Sequence, residues 1–310
     1  MMAQEIQTTV GAAAQLACLL EASAEKPGNV TPTHAFADMA YEDFLRSAVA
    51  IGPEMARAGE RDAGQTILAA VEATRRWTQA NTNLGIILLF APLAKAALRQ
   101  DAGGKMQDAS GRWQVAGGDL RTALKKVLRD LTVADAEAAY EAIRRAEPGG
   151  FEEAVEHDIH ERPTITLREA MAGAVERDSI AAEYLSDYAI TFERGLPLLE
   201  RILASGAPLT SKQSDFCMRS GAVVQLYLEL LAEVPDTLIA RKNGRETAVA
   251  VSQGAAEVLS RGGIFSSQGR QAVLEFDQTL RKNHNELNPG TTADLVSAIL
   301  FTALLEGKIK

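Results

Sequence analysis

Apolar residues return at spacings of three and four along almost the whole chain, and sustained strand-like alternation is missing. That period places one apolar stripe on each successive helix. It predicts helices over 7–23, 41–58, 63–79, 84–99, 118–131, 134–146, 167–177, 179–205, 211–233, 245–261, 267–282 and 292–305. The pattern fails for longer stretches at 101–117 and 148–166, which read as loops or lids, with a short hairpin strand conceivable at 112–115. No fixed repeat and no Pro/Ser/Gly linker divides the chain, so the expected architecture is all-α, one multi-helix domain over 1–310.

Composition sharpens this picture. At 310 residues and 46% apolar content the chain can bury a large core, and its abundant Ala, Leu, Glu and Arg favour helix. A net charge of −9 argues against a surface built to hold nucleic acid or anionic lipid. The longest apolar run, 84–94, is too short for a membrane span, and the N-terminus lacks a secretory pattern. A cytoplasmic protein with no membrane or nucleic-acid partner is therefore expected. Cys18 and Cys217 lie inside apolar helical patterns and read as small buried hydrophobes. Apolar helix faces leave room for a homodimer.

Four polar segments interrupt the helical pattern, and they carry the candidate chemistry. In the first, 21–38, Pro27 ends a helix, Gly28 permits positive φ, and Glu21, Lys26, Asn29, His34 and Asp38 lie close in sequence. If 34–38 is helical, His34 and Asp38 share a face, as a structural hydrogen bond or as a catalytic pair. The second, Asn81-Thr82-Asn83-Leu84-Gly85, is a helix start; two asparagines and a glycine exceed what a cap needs. The third runs from Asp236 through Arg241 and Lys242 to Gly244. The fourth, Asn288-Pro289-Gly290-Thr291-Thr292-Ala293-Asp294, also opens a helix, whose free amides suit a phosphate. Asp294 there either serves the helix dipole or holds a divalent cation that bridges phosphates. His157, His160 and His284 make no zinc pattern, and no Walker loop, GxSxG or dinucleotide fingerprint occurs. The charged faces at 121–129 and 134–145 read as solvated helix surface.

Taken together and in order, KPGNV with its following His and DM, NTNLG, DTLIARKNG and NPGTTADLVSA resemble the triphosphoribosyl-dephospho-CoA synthase family, over about residues 12–305. The resemblance implies an all-helical transferase that joins ATP to 3′-dephospho-CoA and releases adenine. It departs from the family in three places. Asn83 and Leu84 stand where NTHKG is usual, Thr291 and Thr292 where PGGSADLL is common, and Asn29 where KPGLV is common. Glycosyl transfer from ATP needs a base for the attacking hydroxyl, carboxylates near an oxocarbenium-like centre and cations for the triphosphate. On that reading Lys26, Lys242 and the amides near Gly28 and Gly290 meet phosphate, with Thr291 and Asn288 beside them. Asp38 and Asp294 hold magnesium, Glu21 or Asp236 acts as general base with His34 a further catalytic candidate, and Asn29, Asn81 and Asn83 orient the sugar or base. The partners are then ATP or a related nucleotide and a phosphorylated small-molecule acceptor. Two alternatives stand beside this reading: a related enzyme of one-carbon cofactor synthesis with another phosphorylated acceptor, and a non-catalytic nucleotide-binding or scaffold protein.

Overall fold

The computed structural model describes residues 2–99, 120–147, 158–209 and 220–309. Within them the chain forms helices α1 (Met2–Ala22), α2 (Tyr41–Ala56), α3 (Ala63–Arg75), α4 (Leu84–Ala97), α5 (Leu120–Arg129), α6 (Val133–Ala146), α7 (Leu167–Ala172), α8 (Ser179–Ser186), α9 (Leu196–Ala204), α10 (Gly221–Glu233), α11 (Thr237–Asn243), α12 (Arg245–Ser260), α13 (Ser267–Leu280), α14 (Lys282–Asn285) and α15 (Gly290–Leu305). The described residues contain no strand, only one isolated bridge between Thr31 and His34. The architecture is all-α. The hairpin strand expected at 112–115, together with Cys217 and His157, lies outside the described residues.

α4 and α15 form the centre. Both are apolar on nearly every side, which suits helices surrounded by others. They meet through the stacked rings of Phe90 and Phe301, 4.3 Å apart. α1 lies along α2 and α15, α3 pairs with α6, and α10 packs on α12 and α15. One buried apolar cluster extends from Val10 to Ile309. Cys18 is buried within it; burial, and then the nearby Glu21 and Asp294 carboxylates, push its thiol well up. No helix among the described residues is long and apolar enough to cross a membrane.

Two of these helices, α2 and α4, carry a proline beyond their first turn, and each is repaired from a neighbour. Proline has no N–H for the carbonyl four residues earlier. In α4, Pro92 leaves the Leu88 carbonyl without its helical donor, and the buried Tyr184 hydroxyl of α8 donates to it at 2.7 Å. In α2, Pro53 leaves Val49, whose carbonyl accepts from Gln15 Nε2 of α1 at 2.9 Å. Gly52 makes room for that contact, since a Cβ there would stand 2.4 Å from the Gln15 amide. The prolines that seem to break these helices therefore define which helices dock on them.

The long helix expected at 179–205 is not continuous. Asp187 and Tyr188 take φ of 54° and 59°, and a π-helical turn, Ile190–Gly195, follows before α9. The apolar period runs straight through this break, so the pattern could not reveal it. Its cause is inward bonding: the Tyr188 hydroxyl reaches the Leu89 carbonyl at 2.9 Å. Glu183 accepts from the Ile190 and Thr191 amides and the Thr191 hydroxyl. The expected helix at 167–177 is also shorter, ending at Ala172, while the polar segment after Asp236 turns out to be helical as α11.

Removal of the Tyr184 hydroxyl by Tyr184→Phe strands the Leu88 carbonyl and should cost about 1–2 kcal/mol in urea denaturation. The same change in a Pro92→Ala background, where an N–H is restored, should cost clearly less; equal costs would refute the repair. Glu183 supplies a pH signature. Burial raises its carboxyl from 4.5 to about 7, so the folded protein keeps a proton that the unfolded chain releases. This contribution is complete below pH about 4.5 and is lost as pH rises through about 7, roughly 3 kcal/mol in all. Unfolding measured from pH 5 to 8 should therefore fall less steeply in Glu183→Gln than in the wild type.

Candidate active site

At the end of α1 the chain turns at Lys26-Pro27-Gly28, and most polar groups in the turn are claimed. The Lys26 ammonium folds inward to Glu21 Oε1 at 2.9 Å and to the Glu21 and Ala24 carbonyls at 2.5 and 3.3 Å. An ammonium has three donors, and all three are used. Tyr227 of α10 donates to the Pro27 carbonyl at 2.7 Å. Gly28 has φ of 77°, and its amide donates to Asp277 Oδ1 of α13 at 2.8 Å; a Cβ would collide with Leu280. Arg281, paired with Asp277, donates to the Asn29 carbonyl at 2.8 Å. Lys26 and the Gly28 amide, expected to meet phosphate, are thus occupied within the fold. The residues they fix in place are Glu21 and Asn29.

The following segment is a turn rather than a helix, so His34 and Asp38 do not share a helix face. His34 pairs through its backbone with Thr31, and its exposed ring lies 3.0 Å from the Thr33 hydroxyl. Asp38 is also exposed, at the lip of the cavity described below.

Before α4 the N-cap residue is Asn83, whose side chain makes no cap bond, and Asn81 two residues earlier accepts from the Leu84 amide at 3.3 Å instead. Asn83 is buried and donates to the Thr74 hydroxyl at 3.2 Å. Gly85 has a specific partner: a Cβ there would stand 2.1 Å from Asp294 Oδ2. The missing side chain is what lets the Asp294 carboxylate lie against α4.

Asp236 is buried at the junction of two helices. Its Oδ1 accepts the Leu238 and Ile239 amides of α11 at 2.9 and 3.0 Å, and its Oδ2 accepts the Thr292 amide and hydroxyl of α15 at 2.7 and 2.8 Å. With both oxygens filled, Asp236 works as a double cap, away from the base role expected of it. Burial, opposed by these bonds, leaves its pKa raised. Beyond it, Arg241 of α11 pairs with Asp178 at 2.6 Å, Thr237 meets Thr291 at 3.2 Å, and the Gly290 amide donates to the Asn288 carbonyl at 2.9 Å.

These segments surround one cavity of about 610 Å³. Glu21, Asn29 and Asp38 line it from the first segment and Asn81, Thr82, Asn83 and Gly85 from the second. Lys242 belongs to the third, and Asn288, Gly290, Thr291 and Asp294 to the fourth. Lys26, Gly28, His34 and Asp236 are not among its lining residues. Asp178 and Arg241 line it too, although the sequence motifs gave them no role; Asp178 is visible in sequence only as the cap before α8, 63 residues from its partner. Carboxylates crowd the interior. Asp294, enclosed by protein except toward the cavity, has a pKa raised well above the carboxylate range by burial and then by Glu21, Asp236 and Asp178, with Arg241 opposing. Among the described residues no three His, Cys, Asp or Glu side chains gather closely enough to hold a metal by themselves.

Residues 7–310 match the family model described as ATP:dephospho-CoA triphosphoribosyl transferase. The chain belongs to that family. A Pseudomonas putida relative assigned as a 2-(5''-triphosphoribosyl)-3'-dephosphocoenzyme-A synthase is 36% identical over 107 residues, which is 34% of this chain and 34% of the relative. The Klebsiella pneumoniae protein of the same name is 31% identical over 112 residues, 36% of each chain. The aligned stretch thus spans about a third of these transferase-family relatives. A crystal structure from Archaeoglobus fulgidus, assigned as a triphosphoribosyl-dephospho-CoA synthase, superposes with a TM-score of 0.58 at 28% identity, covering 85% of this chain and 99% of that one.

The double cap should matter to stability more than a single surface cap would. Asp236→Ala exposes four donors inside the protein and should lower unfolding free energy by about 2–4 kcal/mol. A loss below about 0.5 kcal/mol in urea denaturation would mean that the two helix starts do not depend on this carboxylate.

Proposed function

We propose that this protein transfers the triphosphoribosyl group of ATP to a ribose hydroxyl of 3′-dephospho-CoA and releases adenine. The observation that carries the reading is the convergence of four sequence-distant polar segments on one cavity in a chain of the transferase family. That membership favours the CoA-type acceptor over a one-carbon cofactor precursor and over a scaffold without chemistry. In the reaction the glycosidic C1′–N9 bond of ATP breaks and a C1′–O bond forms. The hydroxyl proton passes to a base, and the adenine nitrogen takes up the electron pair of the broken bond with a proton.

Glu21 is the carboxylate best suited to be that base. It lines the cavity, and the Lys26 ammonium at 2.9 Å balances its charge and holds its orientation. Asp236, the other candidate, has both oxygens engaged by helix amides and a hydroxyl. Asn81 and Asn83 flank the sugar, and Arg241 and Lys242 supply positive charge to the phosphates. His34, outside the cavity lining, is given no step.

Magnesium fits the donor set. Asp38 and Asp294 offer hard oxygen ligands on one cavity, and magnesium commonly takes one or two carboxylates with phosphates and water completing its shell. It would neutralise the triphosphate and relieve the carboxylate repulsion that adds to burial in raising the Asp294 pKa.

Adenine release from ATP with dephospho-CoA as acceptor tests the reading directly. Asp294→Asn and Asp38→Asn should each slow it by about 100-fold or more, with far-ultraviolet circular dichroism unchanged, and EDTA should stop the wild type. Undiminished turnover in both variants would remove the metal role. Absence of adenine from the wild type would remove the transfer itself.

A further inference from the structure

Only half of the Asn29 side-chain amide is used. Asn29 is 6% exposed and lines the cavity; its Nδ2 donates to Asn288 Oδ1 at 2.7 Å, while its Oδ1 has no hydrogen-bond partner. A buried amide oxygen without a donor is destabilising, and leucine, nearly isosteric with asparagine, would fill the same space without that cost. The loop cannot easily turn the oxygen elsewhere. The Asn29 amide donates to the Lys26 carbonyl, its own carbonyl accepts from Arg281, and the preceding Gly28 is tied to Asp277. An acceptor is therefore held ready, and nothing in the described protein meets it.

Asn288 completes the arrangement. It lines the same cavity, and its Nδ2, which donates to no described residue, lies 3.7 Å from where a Cβ of Gly290 would stand. The two amides, joined by one hydrogen bond, leave one acceptor, Asn29 Oδ1, and one donor, Asn288 Nδ2. Exchanging oxygen and nitrogen in both amides leaves the same complement, so the pattern is independent of how the two are assigned.

An acceptor and a donor on two joined amides offer the same pair of groups that a single amide uses on the 6-amino edge of adenine, where an N6–H donor adjoins a ring-nitrogen acceptor. We propose that the Asn29–Asn288 amide pair is the subsite that reads the 6-amino edge of an adenine. The inference rests on the transfer reaction above, in which ATP and dephospho-CoA each bring one adenine. The pair makes this cavity selective for 6-aminopurines at one of the two nucleotides.

The test compares adenine substrates with analogues that lack only the 6-amino group, in two arms. One replaces ATP by purine riboside 5′-triphosphate, and the other replaces dephospho-CoA by its purine riboside counterpart. The wild type should lose about 10- to 100-fold in kcat/KM in one arm. Asn29→Leu should lose a similar factor with the adenine substrate and show no more than about twofold discrimination in that arm, while its thermal midpoint without substrate stays at or above that of the wild type. The arm that responds identifies which adenine is read. Wild-type discrimination in neither arm, or unchanged discrimination in Asn29→Leu, overturns the subsite. Calorimetric binding of the same four compounds gives the comparison without turnover. A wild type that releases no adenine thus counts against the transfer reaction, while the subsite is judged on binding alone.

Discussion

Asp236 holds the two helix starts that carry two of the four polar segments of the cavity wall. A helix N-terminus leaves amides without partners, and burial removes water as a substitute. One carboxylate answers this for α11 with Oδ1 and for α15 with Oδ2, so the two helices are joined end to end through a single side chain. Everything these helices bring to the cavity follows from that joint: Arg241 and Lys242 from α11, and Gly290, Thr291 and Asp294 from α15. A carboxylate spent this way is poorly placed for proton transfer, and Glu21, which lines the cavity, is left for the base role proposed above.

The same economy governs the opening turn. Its lysine folds back on Glu21 and Ala24, while its glycine amide and the Pro27 and Asn29 carbonyls bind α10 and the end of α13, by way of Tyr227, Asp277 and Arg281. The turn is a rigid support that keeps Glu21 and Asn29 in fixed orientations. The prolines of α2 and α4 follow a related logic, since each exposes a carbonyl that only one neighbouring side chain fills. Specific docking arises from backbone groups left open as much as from apolar contact.

The helical class and the four polar segments were legible because both rest on local signals: period for the helices, and Asn, Gly, Pro and Asp at helix edges for the segments. What local signals lack is direction and pairing. Lys26 reads as an available cation until Glu21 and two carbonyls are seen to enclose it. Gly28 reads as an open amide until Asp277, 249 residues away, closes it. The break at Asp187 and Tyr188 is hidden because an apolar period continues through a π turn. The Asp178–Arg241 pair is hidden because neither residue is unusual for a helix edge, and only the tertiary fold brings them together.

Gly85 and Asp294 show how closely such pairing is set. With a Cβ at position 85 placed 2.1 Å from the Asp294 oxygen, the carboxylate fits only where the α4 backbone presents no side chain. A slide of α15 past α4 by one residue would be about 1.5 Å, and would carry the carboxylate off this bare spot toward neighbours that have side chains. The acid therefore works as a vernier mark on the core: it can occupy the cavity wall only when the two central helices have assembled in register, so correct assembly and a complete set of cavity carboxylates arrive as one event.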